Sequence, residues 1–229
     1  MQKNNPLPVR NMQIMSKNCQ SDYKNLDSYA EYLLANLCIP TLLKNKASSL
    51  LHLNKLKIKK MELFLQLIDE KIRRFESRSY ILYENPTMVI LLIYNEELLQ
   101  KILYCKQNES FLTSFGYEMK SLSIDSVFMR IKERYSLYKD NQTEYNSKMN
   151  TAGKTVFPHE IGIILGYPRW DVEDFIRHQG RNYILCGYWK VYHEREYAMR
   201  IFDNYKKMRD YTLAKMMEGK TLQEIYDNN

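Results

Sequence analysis

Apolar residues recur along much of the chain at the three-and-four spacing that gives a helix one buried side. Leu26, Tyr29, Leu33 and Leu37 predict a first helix, opened by Ser28 and Glu31 as a capping box and stopped before Pro40. Met61, Phe64, Leu65, Ile68, Ile72 and Phe75 predict a second and more regular one. Leu98, Leu99, Ile102 and Leu103 predict a third, with Asn95 as its cap and Glu96 and Glu97 in its first turn. Ile124, Val127, Phe128, Ile131 and Tyr135 mark a fourth helix near residues 124–138. Ala198, Ile201, Phe202, Tyr205, Met208 and Thr212 mark a long one over about 194–217, followed by a helical turn at 221–227.

Three runs break this period. Ser48–Leu53 reads as a short strand, and Ser79–Glu84 and Met88–Tyr94 read as two more around a turn at Asn85-Pro86. Met88–Tyr94 is apolar at successive positions, which predicts a central strand covered on both faces. Residues 183–192 predict a further strand with a bend or bulge at Gly187, Trp189 and Val191 on one face and Tyr188, Lys190 and Tyr192 on the other. Helices outnumber strands without regular alternation, so the expected class is α+β, helix-rich, with a small mostly antiparallel or mixed sheet covered by helices. Residues 1–24 are polar, carry Pro6 and Pro8, and read as a flexible arm. Residues 25–229 read as a single domain, interrupted at 139–155 by a polar stretch without apolar period, the expected mobile loop.

Composition narrows the setting. An apolar share of 45% over 229 residues suffices for a sizeable core. Lys, Asn and Tyr are abundant while Gly and Pro are scarce, a bias associated with low-GC bacterial genomes. Cys19, Cys38, Cys105 and Cys186 show no C-x-x-C pairing, which suits free thiols in a reducing compartment. The N-terminus lacks the apolar segment of a signal peptide and no run is long enough to span a membrane, so a cytoplasmic location is expected. The net charge of +7 is concentrated in residues 1–78, which hold 14 Lys/Arg against 7 Asp/Glu. Lys55, Lys57, Lys59 and Lys60 belong to that excess, and a solvated helix start accounts for them as well as a surface for anions does.

Chemistry-bearing residues gather in Phe157–Tyr192, which contains four of the seven glycines and both tryptophans. Its P-H-E-I-G-x-x-L-G-Y-P (Pro158–Pro168), D-V-x-x-F-I (Asp171–Ile176) and C-G-Y-W-K-V-Y (Cys186–Tyr192), with Cys38-Ile39-Pro40-Thr41-Leu42, resemble an uncharacterised family of clostridial and related anaerobic bacterial proteins. The likeness extends from about Leu33 to Tyr211, and it implies membership without implying a reaction.

Several constellations compete within that stretch. His159-Glu160 starts an H-E-x-x-H zinc motif, but the second histidine is replaced by Ile163. His159, His178, Cys186 and His193 have suitable ligand chemistry without a spacing that fixes it. Cys186 and His159 could pair as nucleophile and base, against a plainer reading of Cys186 as a small buried strand residue. Ala152-Gly153-Lys154-Thr155 echoes a phosphate loop but has Lys148 where the leading glycine belongs. Glu160–Ile176 has helix-turn-helix cadence, yet Asp171, Glu173 and Asp174 on the reading helix oppose phosphate binding, so nucleic acid is disfavoured.

The reading taken forward is an accessory or binding protein rather than an enzyme. Its surface is His159, Glu160, Tyr167, Trp170, Tyr188, Trp189, Lys190 and Tyr192, and it recognises a small molecule or a protein partner. No metal or cofactor is assigned. The alternatives are a redox or metal/haem-linked enzyme or accessory using Cys186 and His159, and a helix-turn-helix DNA-binding regulator.

Overall fold

In a computed structural model of the chain, the described residues are 23–145 and 157–227. The architecture is α+β: a three-stranded antiparallel sheet of order β1-β3-β2 with a layer of helices on each face. The strands are β1 (Ser48–Asn54), β2 (Ser77–Glu84) and β3 (Met88–Asn95). Alternation along a strand sends successive side chains to opposite faces. Val89, Leu91 and Ile93 therefore enter one core, and Ile90, Leu92 and Tyr94 enter the other. All six are buried, as a central position demands.

The first core is closed by α1 (Tyr23–Leu37), α2 (Ile39–Leu42) and α3 (Met61–Arg73), with Leu34, Phe64 and Ile68 against Leu51 and Leu53 of β1. α1 begins earlier than its expected cap, so Ser28 lies within the helix. Leu26, Ala30 and Leu34 recur every four residues and all are buried, so packing carries the helix past the local capping signal. Pro40 falls in the first turn of α2, where its missing N–H leaves no helical bond unmade.

The second core is closed by α4 (Glu96–Leu103), α5 (Lys106–Ser114) and α6 (Ile124–Tyr145). Asn95 caps α4 as expected, its side-chain oxygen accepting the Leu98 N–H at 3.0 Å. α5 has no counterpart in the sequence reading, because only Phe111 and Leu112 are buried and no apolar period emerges. α6 runs on to Tyr145, into the stretch read as a polar loop over 139–155. Extending an existing helix costs far less than nucleating one, so polar residues can follow an anchored start. The remainder of that loop, and the arm read at 1–24 apart from the start of α1, lie outside the described residues. On β2 the register slips at Leu82, so Ile81 faces the first core while both Leu82 and Tyr83 face the second.

The C-terminal third comprises α7 (Ile161–Ile164), α8 (Arg169–Arg177), β4 (Leu185–Cys186), β5 (Lys190–Val191), α9 (Arg195–Met217) and α10 (Leu222–Tyr226). Ser48 of β1 donates to the Ile164 carbonyl at 2.7 Å, tying α7 to the sheet. α9 packs on α1 and α2, and its Tyr205 donates to the Asn45 carbonyl at 3.0 Å. Thr221 and Glu224 cap α10 reciprocally, and Leu222 joins the first core. Among the described residues no helix is long and apolar enough to cross a membrane.

Residues 183–192 do not form the single strand expected of them. β4 and β5 pair antiparallel as a small hairpin, Leu185 opposite Val191 and Cys186 opposite Lys190, with the chain reversing over Gly187, Tyr188 and Trp189. At Gly187 a side chain would meet the Phe202 ring of α9 at 2.3 Å, so only glycine lets the turn approach that helix. Asp171 of α8 holds the returning chain. Buried itself, it accepts the Trp189 indole N–H at 2.8 Å and the backbone N–H groups of Tyr192 and His193 at 2.8 and 3.1 Å.

Lys46, between α2 and β1, is half-buried with its ammonium 5.6 Å from the centre of the Tyr167 ring. No carboxylate pairs with it among the described residues, and burial pulls its pKa down from 10.5 to about 8.

Three outcomes are expected. Leu91→Ala and Leu92→Ala, adjacent but in separate cores, should each cost about 2–5 kcal/mol in urea denaturation, whereas a strand covered on one face would tolerate one of them. Asp171→Asn should cost about 2 kcal/mol and weaken near-ultraviolet dichroism from Trp189 while far-ultraviolet dichroism persists. Lys46→Met should raise the melting temperature at neutral pH. Because the native lysine sheds its proton earlier than the unfolded one, the wild-type protein gains stability relative to that variant as pH rises from about 8 toward 10.5. A difference between the two proteins that is flat across that window would contradict the assignment.

Candidate binding cleft

α7, α8 and the β4–β5 hairpin enclose a cleft of about 340 Å³. Its walls are mainly apolar. Ile161 and Leu165 come from the α7 segment, Val172 and Phe175 from α8, and Tyr167 and Trp189 from the turn and hairpin that flank them. Tyr167 stacks on Trp189 with centroids 5.3 Å apart, and Phe202 meets the indole edge-on at 4.5 Å from behind. Gly162 permits this closeness between α7 and α8, since a Cβ there would lie 2.8 Å from a Val172 methyl. The hairpin is thus held by the Asp171 hydrogen bonds on one side and by ring contacts with α9 on the other.

His159, Cys186, Lys190 and Asp171 supply the polar lining. His159 lies between two rings, 5.3 Å from Phe157 and 5.4 Å from Phe175. Burial, aided by the nearby Arg134 charge, holds its pKa below the ordinary value, which favours the neutral imidazole. Cys186 is exposed, contrary to its reading as a buried strand residue, because the chain turns at Gly187 instead of continuing through a sheet. His159 and Cys186 share the cleft lining, and no hydrogen bond joins them among the described residues. Lys190 donates to the Gly180 carbonyl at 2.7 Å.

Of the eight residues expected to form the surface, His159, Tyr167, Trp189 and Lys190 line the cleft. The other four point elsewhere. Glu160 is fully buried behind it, where Oε1 accepts from Arg134 Nε at 3.0 Å and from the Tyr117 hydroxyl at 3.3 Å. Desolvation raises its pKa against the pull of Arg134, and burial together with that carboxylate raises the Tyr117 phenol. Trp170 faces outward on α8, and Tyr188 packs on Phe202 and Tyr205. Tyr192 stacks on His178 at 5.7 Å.

The sequence reading leaves Phe175, which follows Val172 at helical spacing, out of the surface, and counts Asp171 only among the acidic residues that oppose phosphate binding. Asp171 and Asp174 instead turn inward, Asp174 meeting His193 Nε2 at 2.7 Å and also Arg177. His178 and His193 are therefore occupied away from the cleft. Among the described residues no group of three or more His, Cys, Asp or Glu side chains is placed to hold a metal ion.

A second concavity of about 660 Å³ lies along β2 and the start of α4. It is polar, and its charges largely answer one another: Lys44 with Glu76, Arg78 with Glu96, and Asp69 accepting from Ser79. It presents few unanswered groups to a ligand, and the apolar cleft is the better candidate.

No curated protein and no solved structure matches the chain significantly. A family model does, over residues 34–226, a span that includes the end of α1, the sheet, the helices from α2 to α10 and every residue of the cleft. The chain therefore belongs to the family described as "Protein of unknown function (DUF3793)".

Proposed function

We propose that this chain is a cytoplasmic binding protein whose ligand is a small molecule seated in the cleft between α7, α8 and the β4–β5 hairpin. The observation that carries the reading is the cleft itself. It offers about 340 Å³ of largely apolar, aromatic space with a few polar groups, which is the make-up of small-molecule sites. Its frame is also built to stay open: a hairpin with little sheet of its own is fastened by a buried aspartate and by glycines at its closest approaches. The volume is near the low end for such sites and fits a compact ligand better than a dinucleotide or a protein segment.

Trp170→Phe leaves Trp189, in the cleft wall, as the sole tryptophan. In that background, small aromatic fragments should shift or quench tryptophan emission saturably, and Cys186→Trp, which fills the cleft mouth, should abolish binding as measured by calorimetry. A library of such fragments that leaves Trp189 emission unchanged would sink the proposal. Intact mass after denaturation separates the thiol-based alternative, because a molecule retained on Cys186 through unfolding has reacted, whereas a bound ligand is released.

A further inference from the structure

The charge balance of the cleft narrows the ligand, provided the binding reading above holds. Asp171 lines it, but both carboxylate oxygens are engaged, Oδ2 by the Trp189 indole and Oδ1 by two backbone N–H groups. That carboxylate has little left to offer a ligand. His159 favours its neutral form, so it can orient a polar group without setting the charge of the site. Lys190 remains.

Its ammonium donates one hydrogen bond, to the Gly180 carbonyl, and lies 4.9 Å from the Tyr183 ring centre and 5.7 Å from that of Phe175. Ring faces and a carbonyl attract a cation without neutralising it. No carboxylate pairs with Lys190 among the described residues, although α8, which packs against β5, carries acidic residues: Glu173 is paired with Arg169, and Asp174 with Arg177 and His193. Two ammonium hydrogens are thus uncommitted beside a half-enclosed apolar space, where a charged hydrogen bond is stronger than in water.

The walls select shape. Rings make up much of the lining: Tyr167 and Trp189, stacked with 26° between their planes, together with Phe175 and His159. A planar ligand gains contact along such walls that a globular one of equal volume does not. We infer that the cleft takes a compact planar aromatic molecule bearing a single negative charge, with Lys190 as the residue that recognises the anion.

Two planar probes share a ring system and differ in that charge: anthracene-2-sulfonate and neutral anthracene. Binding to full-length Trp170→Phe protein is followed by energy transfer from Trp189. The sulfonate should bind about tenfold tighter, and added salt should narrow the gap. Lys190→Met should remove about tenfold from the sulfonate while leaving the neutral probe within about twofold, and Lys190→Arg should restore the preference. Equal affinities in the parent protein, or equal loss of both probes in Lys190→Met alongside no recovery in Lys190→Arg, would overturn the assignment of charge while leaving the cleft as a binding site. Absence of transfer from Trp189 to either probe would overturn the binding reading and this inference together.

Discussion

A strand that is apolar on both faces cannot stop at one layer of helices. β3 buries Val89, Leu91 and Ile93 on one side and Ile90, Leu92 and Tyr94 on the other, and everything else in the fold is arranged to keep water from both sets. The two cores are assembled differently. The first joins α1 to α3 with β1 and then receives α10 from the far end of the chain through Leu222. The second packs Leu82 and Tyr83 of β2 under helices that follow β3 in sequence, α4 to α6, and α7 is added to it through Ile161 and Ile164. The cleft lies where that second core passes into the hairpin, so its position follows from the way the chain leaves the sheet.

The elements legible from sequence were those whose apolar period or run is long. α3, α9 and β3 meet that condition, and Asn95 caps α4 by the hydrogen bond its position suggested. α1 and α6 exceed their expected spans because packing and helix propagation override local signals at their ends. α5 escaped notice because two adjacent buried residues do not make a period. The hairpin misled for a different reason. Alternating aromatics read alike in one strand and in two short strands that reverse, and it is contact between Gly187 and Phe202, fifteen residues apart in sequence, that sets the reversal.

The candidate site was legible as a stretch and much less so as a surface. His159, Tyr167, Trp189 and Lys190 converge, while Glu160, Trp170, Tyr188 and Tyr192 from the same motifs do not. Side-chain direction in so short a run depends on turns, and here each turn redirects the next residue: Glu160 goes inward to Arg134 whereas its neighbour His159 goes to the cleft. Asp171 illustrates the limit more sharply. An acidic residue among Glu173, Asp174 and Arg177 carries the pattern of a solvated helix face, and nothing in that pattern discloses that the backbone amides of Tyr192 and His193 will be brought to it. Tertiary hydrogen bonds of this kind have no period to detect.

The slip of register at Leu82 has an effect beyond the packing of β2. A three-stranded sheet has two edges, and each edge offers unpaired backbone groups to any extended segment that arrives. A bulge bends and twists its strand locally, so the free side of β2 does not present the straight ladder that an incoming strand would need. Arg78 and Glu84 place charges near its ends, a further obstacle to a neighbouring chain. Growth of the sheet by strand addition is thereby discouraged at one of its two borders, and a partner that recruits this protein through backbone pairing would have to approach along β1 instead.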